Sequence, residues 1–219
     1  MELLLKDALL MSHDRMWLAD TARSFGLTPE TDPVLTAEKL AEAMLDPENL
    51  YSRMLVLNDN DISFFEYVIR NKTVHPASAN YRSADRLRHL DLAAIVNAKR
   101  DLAVPDDLAA VYQSFDLNAF HGLRRKVSWL FDCVSLIPNF YGFLAIHDLC
   151  DMYRRKKGMD DDNAAIVMRL LPYVIHHPDC LCIREGNEII TIGLNDAGNE
   201  AKLRELHESI PLVIPSYSE

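Results

Sequence analysis

Four side chains suited to a soft metal crowd into seven residues near the C-terminal end: His176, His177, Cys180 and Cys182 in "HHPDCLC". A structural zinc site needs four converging ligands, usually from two separated pairs. Here one segment supplies all of them, and the chain has no CxxC or HxxxH pair to join them. A β-hairpin accounts for more of the residues. In "CLCIREGNEIITIG", Cys180 to Gly193, Gly186-Asn187 is an accepted two-residue hairpin turn. Closure there sets Arg184 opposite Ile189, Ile183 opposite Ile190 and Leu181 opposite Ile192. Alternation then gathers Leu181, Ile183, Ile190 and Ile192 on one apolar face, expected to cover helices, with Cys180, Cys182, Arg184 and Thr191 on the other. The expectation is a hairpin that holds no metal.

Other reactive groupings are sparse. In "HDLCD", His147, Cys150 and Asp151 share a helix edge, expected to be an exposed polar edge with Cys150 near the core. Asp160 to Asp162 in "MDDDN" lack the glycine and spaced acids of a calcium loop and suit a helix start instead. Tyr141 in "NFYGF" is an aromatic that packs a turn against the core. No GxSxG, GxGxxG, Walker loop, HExxH or EF-hand pattern occurs, so the expectation is a non-enzymatic protein without a cofactor.

The basic residues with a binding geometry are Arg82, Arg86 and Arg88 on one predicted helix, and Lys99 and Arg100 at the tip of a predicted hairpin. Arg82 and Arg86 lie one turn apart on the same face. Together the five are the candidate contacts to double-stranded DNA. Asp85, Asp91 and Asp101 are close enough in sequence to neutralise them locally, and that arrangement would suit a protein partner or a homo-oligomer instead.

The elements that must carry these residues follow from caps and periodicity. Ser12 is expected to cap "HDRMWLADTARSF", with Gly26 as its left-handed stop, and Thr36 to cap "AEKLAEAML". Asp46-Pro47 and Asn58 to Asp61 open two further helices, the second facing inward with Ile62, Phe65 and Ile69. From Ser78, Tyr81, Ala84, Leu87 and Leu90 would share a buried face. "LAAIVNAKRDLAVP" reads as a hairpin, and "DDLAAVYQSF" as an acid-led helix. Phe120, Leu123, Val127, Leu130, Val134 and Ile137 form the stripe of a long helix, with Trp129 at its edge. "FLA" is a short strand, "IHDLCDMYRRKK" a helix facing inward with Ile146, Leu149 and Tyr153, and "NAAIVMRLLPYVIHH" a helix kinked or ended by Pro172.

Helix, short strand, helix, turn, helix, hairpin is the order of a winged helix. The predicted fold is mostly α: a helical hairpin over 1–45, then winged-helix-like modules over 46–116 and 117–219, the last with a C-terminal helix. The front, "MWLADTARSFGLTPETDPVLTAEKLAEAM", resembles the helix–loop–helix of Rho-N-terminal and SAP-like modules through Leu18, Ala22, Gly26, Leu27, Lys39 and Leu40. It departs from them in carrying few of the basic residues that such modules use on nucleic acid. The layout as a whole is similar to uncharacterised bacterial winged-helix proteins that open on such a hairpin.

Composition sets bounds. With 49% hydrophobic and 26% charged residues, 219 residues can bury a real core. Seven glycines and 8% aromatics favour helices over glycine-rich phosphate loops. A net charge of −10 argues against non-specific coating of nucleic acid. The first 60 residues hold five basic and eleven acidic side chains, whereas 61–116 hold seven and eight. No apolar run reaches membrane-spanning length, "MELLLKDALLM" lacks the basic start of a secretory signal, and four cysteines read as reduced, cytoplasmic thiols. Elemental analysis is expected to find no stoichiometric zinc. About one zinc per chain, lost in a Cys182→Ser variant, would contradict the hairpin reading.

Overall fold

Four helix starts in the N-terminal half are fixed by carboxylate or amide caps. Asp14, Asp32, Asp46 and Asn58 each accept backbone N–H bonds from the first turn of α2 (Arg15–Ser24), α3 (Pro33–Leu45), α4 (Pro47–Met54) and α5 (Asp59–Asn71). Asn58 and Asp61 form a reciprocal capping box. Two expected caps differ. Ser12 ends an unanticipated first helix, α1 (Leu5–Ser12), and Asp14 is the true cap of α2. Thr36 lies buried inside α3, where its hydroxyl serves Glu30 and Asp32. Asp32-Pro33 outcompetes it, because a capping carboxylate followed by proline at the first helical position preorganises the start.

The structure, a computed structural model, describes residues 2–155, 163–175, 177, 180–192, 201–202 and 204–205. It divides into two compact units, 1–121 and 122–219. The expected boundary at 45/46 falls inside the first unit, and that at 116/117 lies close to the observed division. The described residues are mostly helical with small antiparallel sheets.

In unit 1, α5 is followed by a single-residue bridge at Val74, then α6 (Tyr81–His89), β1 (Ala94–Ile95), β2 (Leu102–Ala103) and α7 (Asp106–Gln113). A 3-10 turn over Ser78–Asn80 leads directly into α6. Val74 pairs with Leu102, which places the first extended segment beside the second strand of the hairpin. The front of the chain belongs to this unit. Asp106 N donates to Leu3 O at 2.7 Å, Leu3 N donates back to the Asp106 carboxylate at 3.0 Å, and Leu5 N donates to Asp107. These bonds dock the start of α1 on the acid-led N-terminus of α7, and Leu5 and Leu9 are buried. Phe120 sits in an aromatic cluster with Tyr51, Tyr112 and Phe115 at centroid distances of 5.2, 5.9 and 5.7 Å.

In unit 2, the long helix α8 (Leu117–Ser135, which begins in unit 1) runs into a π-helical turn over Ile137–Tyr141. Then follow β3 (Phe143–Ala145), α9 (Ile146–Arg154), α10 (Asn163–Ile175), β4 (Cys182–Glu185) and β5 (Glu188–Thr191). The sheet order is β3-β5-β4, all antiparallel. Unit 1 thus places a bridging residue, and unit 2 a full strand, beside the second strand of a later hairpin. One helix intervenes in unit 1 and two in unit 2. Gly186 takes φ +58 at the hairpin turn, a region that favours glycine.

The hairpin register is as expected, with Ile183 opposite Ile190 and Arg184 opposite Ile189. Its inward face is not. Cys182 and Ile189 are buried, whereas Leu181 and Ile192 are 61% and 55% exposed. Ile190 is also buried, because β5 is the central strand: Phe143 lies opposite Ile190, and Arg204 stacks 4.7 Å above the Phe143 ring. A third strand cannot be inferred from the hairpin's own alternation, and a free cysteine is apolar enough to take the core position. Three further corrections concern helices. Tyr81 is 58% exposed, although Ala84, Leu87 and Leu90 are buried as expected. α10 continues past Pro172 to Ile175. On α8, Phe120, Val127, Leu130 and Val134 are buried and Leu123 only half so; Trp129 is buried too, its indole N–H donating to Tyr153 O at 2.9 Å.

Truncating the centre of the aromatic cluster removes its largest buried group. Phe120→Ala is expected to destabilise unit 1 by about 3–5 kcal/mol, read as a lower urea midpoint by near-ultraviolet circular dichroism.

Candidate nucleic-acid interface

The site begins with Asp61, a carboxylate only 4% exposed on α5. It accepts from Ser83 Oγ at 2.7 Å, from Arg86 Nη1 at 3.2 Å and from the Asn58 backbone N–H at 3.2 Å. Ser83 and Arg86 are three apart on α6, so one buried acid fixes the rotation of that helix against α5. Arg86 therefore faces inward rather than presenting a free cation. Arg82 remains exposed. Arg88 is half-buried and pairs with Asp85 at 3.4 Å, and His89 lies 3.7 Å from the same carboxylate.

The β1–β2 tip is built by Asn97. Its side-chain oxygen accepts from the Lys99 and Asp101 N–H groups, and its amide donates to Asp101 at 2.8 Å. Arg100 takes φ +63 at the crest. Lys99 and Arg100 are both exposed. The hydrogen bond from the Asn97 side-chain amide, with His75 at 3.0 Å, holds the Asp101 carboxyl below the usual carboxylate range. Five expected contacts thus resolve into three exposed cations (Arg82, Lys99 and Arg100), one ion-paired arginine (Arg88) and one that positions the helix (Arg86).

Asp91 does not interrupt the surface. It takes φ +53 just after α6 and bonds His13 Nε2 at 2.6 Å, and the His13 ring stacks on Trp17 at 3.4 Å. Arg53 lies in the same region and donates to Leu90 O; burial lowers its pKa, and the charge of Asp91 opposes that shift. Met11, His13, Trp17, Asp85, Arg88 and Ile95 line a cleft of about 430 Å³, so the C-terminal half of α6 and β1 border one depression. This group escapes sequence reading because His13 and Asp91 are 78 residues apart and share no motif.

In unit 2, His147 is 80% exposed and Cys150 is buried, as expected. Tyr141 is buried in its turn, and desolvation raises its phenol. His176 and Asp160 to Asp162 lie outside the described residues, among which no three His, Cys, Asp or Glu side chains are grouped to hold a metal ion. No described helix is long and apolar enough to cross a membrane. Compared with known protein families, curated proteins and solved structures, the chain matches none.

Removing Asp61 would take a buried acceptor from both Arg86 and Ser83. Asp61→Ala is expected to cost about 2–4 kcal/mol of unit 1 stability in urea unfolding. A loss below about 0.5 kcal/mol would show that α6 is held by apolar packing alone.

Proposed function

We propose that the chain is a non-enzymatic protein with winged-helix-like units that associates with duplex DNA through unit 1. Arg82 on α6 and Lys99 and Arg100 at the hairpin tip would contact phosphates. The observation that carries the reading is the conjunction of a hairpin bridged to an earlier residue, Val74, with three exposed cations on the preceding helix and the tip. Arg86 serves by holding α6 through Asp61, and Arg88, shared with Asp85, contributes less. Unit 2 is the weaker reader, since its last helix before the hairpin, α10, is largely apolar.

Three phosphate contacts predict weak, strongly salt-dependent binding. Log affinity should fall with log salt at a slope of about −2.7, or about 40-fold between 50 and 200 mM salt. Fluorescence anisotropy with a labelled mixed-sequence duplex measures this. Arg82→Ala and Lys99→Ala should each flatten the slope by about one. Absence of binding at 50 mM salt would overturn the proposal.

A second reading, self-association or a protein partner, is favoured by the net charge of −10, by Asp85 within the α6 row, and by the exposed Leu181 and Ile192. Sedimentation would then show a mass that rises with concentration and falls back to one chain in Leu181→Asp.

A further inference from the structure

Cys180 and Cys182 are both buried where the chain enters the unit 2 hairpin. Cys180 N donates to His177 O at 2.9 Å. Cys180 Sγ donates to Cys182 O at 3.7 Å, and Cys182 Sγ to Val134 O at 3.9 Å. The two residues are 8% and 1% exposed, so a small solute meets Cys180 first. We propose that Cys180 and Cys182 are a peroxide-oxidisable dithiol, with Cys180 the attacking sulfur and Cys182 the resolving one.

The pairing gives the two sulfurs unequal roles. Interaction with the neighbouring Cys182 lowers the Cys180 thiol to about 7 against its own burial, while interaction with Cys180 and burial push the Cys182 thiol up. Cys180 is thus the sulfur that reaches the nucleophilic thiolate form more readily. Burial raises the Cys150 thiol instead, which makes it an internal control.

The chemistry balances with hydrogen peroxide as oxidant. The Cys180 thiolate attacks one peroxide oxygen; the O–O bond breaks, leaving Cys180 as a sulfenic acid and releasing hydroxide, which takes up a proton to become water. The Cys182 sulfur then attacks the Cys180 sulfur. The S–S bond forms, the S–O bond breaks, and the departing hydroxide takes the Cys182 proton as the second water. Two thiols lose two electrons, and peroxide gains them. Residues two apart in a regular strand are separated by about 6.6 Å, near the upper limit for a disulfide. Cys180 precedes β4, so its backbone is not held in the ladder. The resulting small ring is strained, which makes it readily reduced by a dithiol. Closure draws the Cys182 sulfur from Val134 O and so couples oxidation to the start of β4.

The full reduced chain is treated with a small excess of hydrogen peroxide, alkylated, and mapped by mass spectrometry. A loss of about 2 Da on the peptide holding both cysteines, reversed by dithiothreitol, is expected before Cys133 or Cys150 changes. In Cys182→Ser, dimedone should trap sulfenic acid at Cys180. On the wild-type chain, iodoacetamide should alkylate Cys180 with a midpoint near pH 7 and, at that pH, about tenfold faster than Cys150. Earlier oxidation of Cys133 or Cys150, retention of both thiols, or disulfides only between chains would each overturn the proposal. The wild-type measurements decide it even if the variant does not fold.

Discussion

A buried carboxylate is costly unless its oxygens are occupied, and Asp61 meets that demand from two helices at once. Asn58 supplies the backbone bond that starts α5, and Ser83 and Arg86 supply bonds from α6. Satisfying one acid therefore sets the helix start, the helix pairing and the rotation of α6. With Arg86 turned inward, Arg82, Asp85 and His89 are left exposed. The residue that looks most like a ligand contact in the sequence is thus the one that makes the remaining surface possible.

Unit 1 closes on itself by a similar rule at its front. Asp106 and Asp107 stand at the N-terminus of α7, where the helix dipole favours acids, and both accept backbone bonds from the segment that leads into α1. Bonds from Lys72 and the Leu3 amide hold the Asp106 carboxyl below its usual range. A group with a depressed folded pKa stabilises above its unfolded value and loses that contribution as the pH falls through the folded one. The seam is therefore intact at neutral pH and weakens only in acid. His13 and Asp91 make a second tie between the α1–α2 connection and the end of α6.

Unit 2 reaches a similar strand order with different packing. Its hairpin gains a true third strand, which moves Ile190 to the centre of a sheet, and Arg204 covers Phe143 while pairing with Glu188 through two bonds of 3.0 and 2.8 Å. The cysteine side of the hairpin turns inward, which buries both thiols at the strand entry. The open end, Leu181 and Ile192, remains exposed.

The sequence by itself determined what depends on neighbours along the chain. Asp46-Pro47, the Asn58–Asp61 box, the Gly186-Asn187 turn with its register, and the Ala84, Leu87, Leu90 stripe are all written in spacings of one to four residues, the range over which caps, turns and periodicity act. The exposure of Arg82, Lys99 and Arg100 was equally legible, because long charged side chains without a buried partner stay in water. Only the tertiary structure decided which side of a two-faced element turns inward. Arg86 is claimed by an acid 25 residues away, Asp91 by a histidine 78 residues away, and Cys182 by a helix carbonyl 48 residues away. Alternation gives two equivalent faces, and the choice between them belongs to whatever distant surface needs covering.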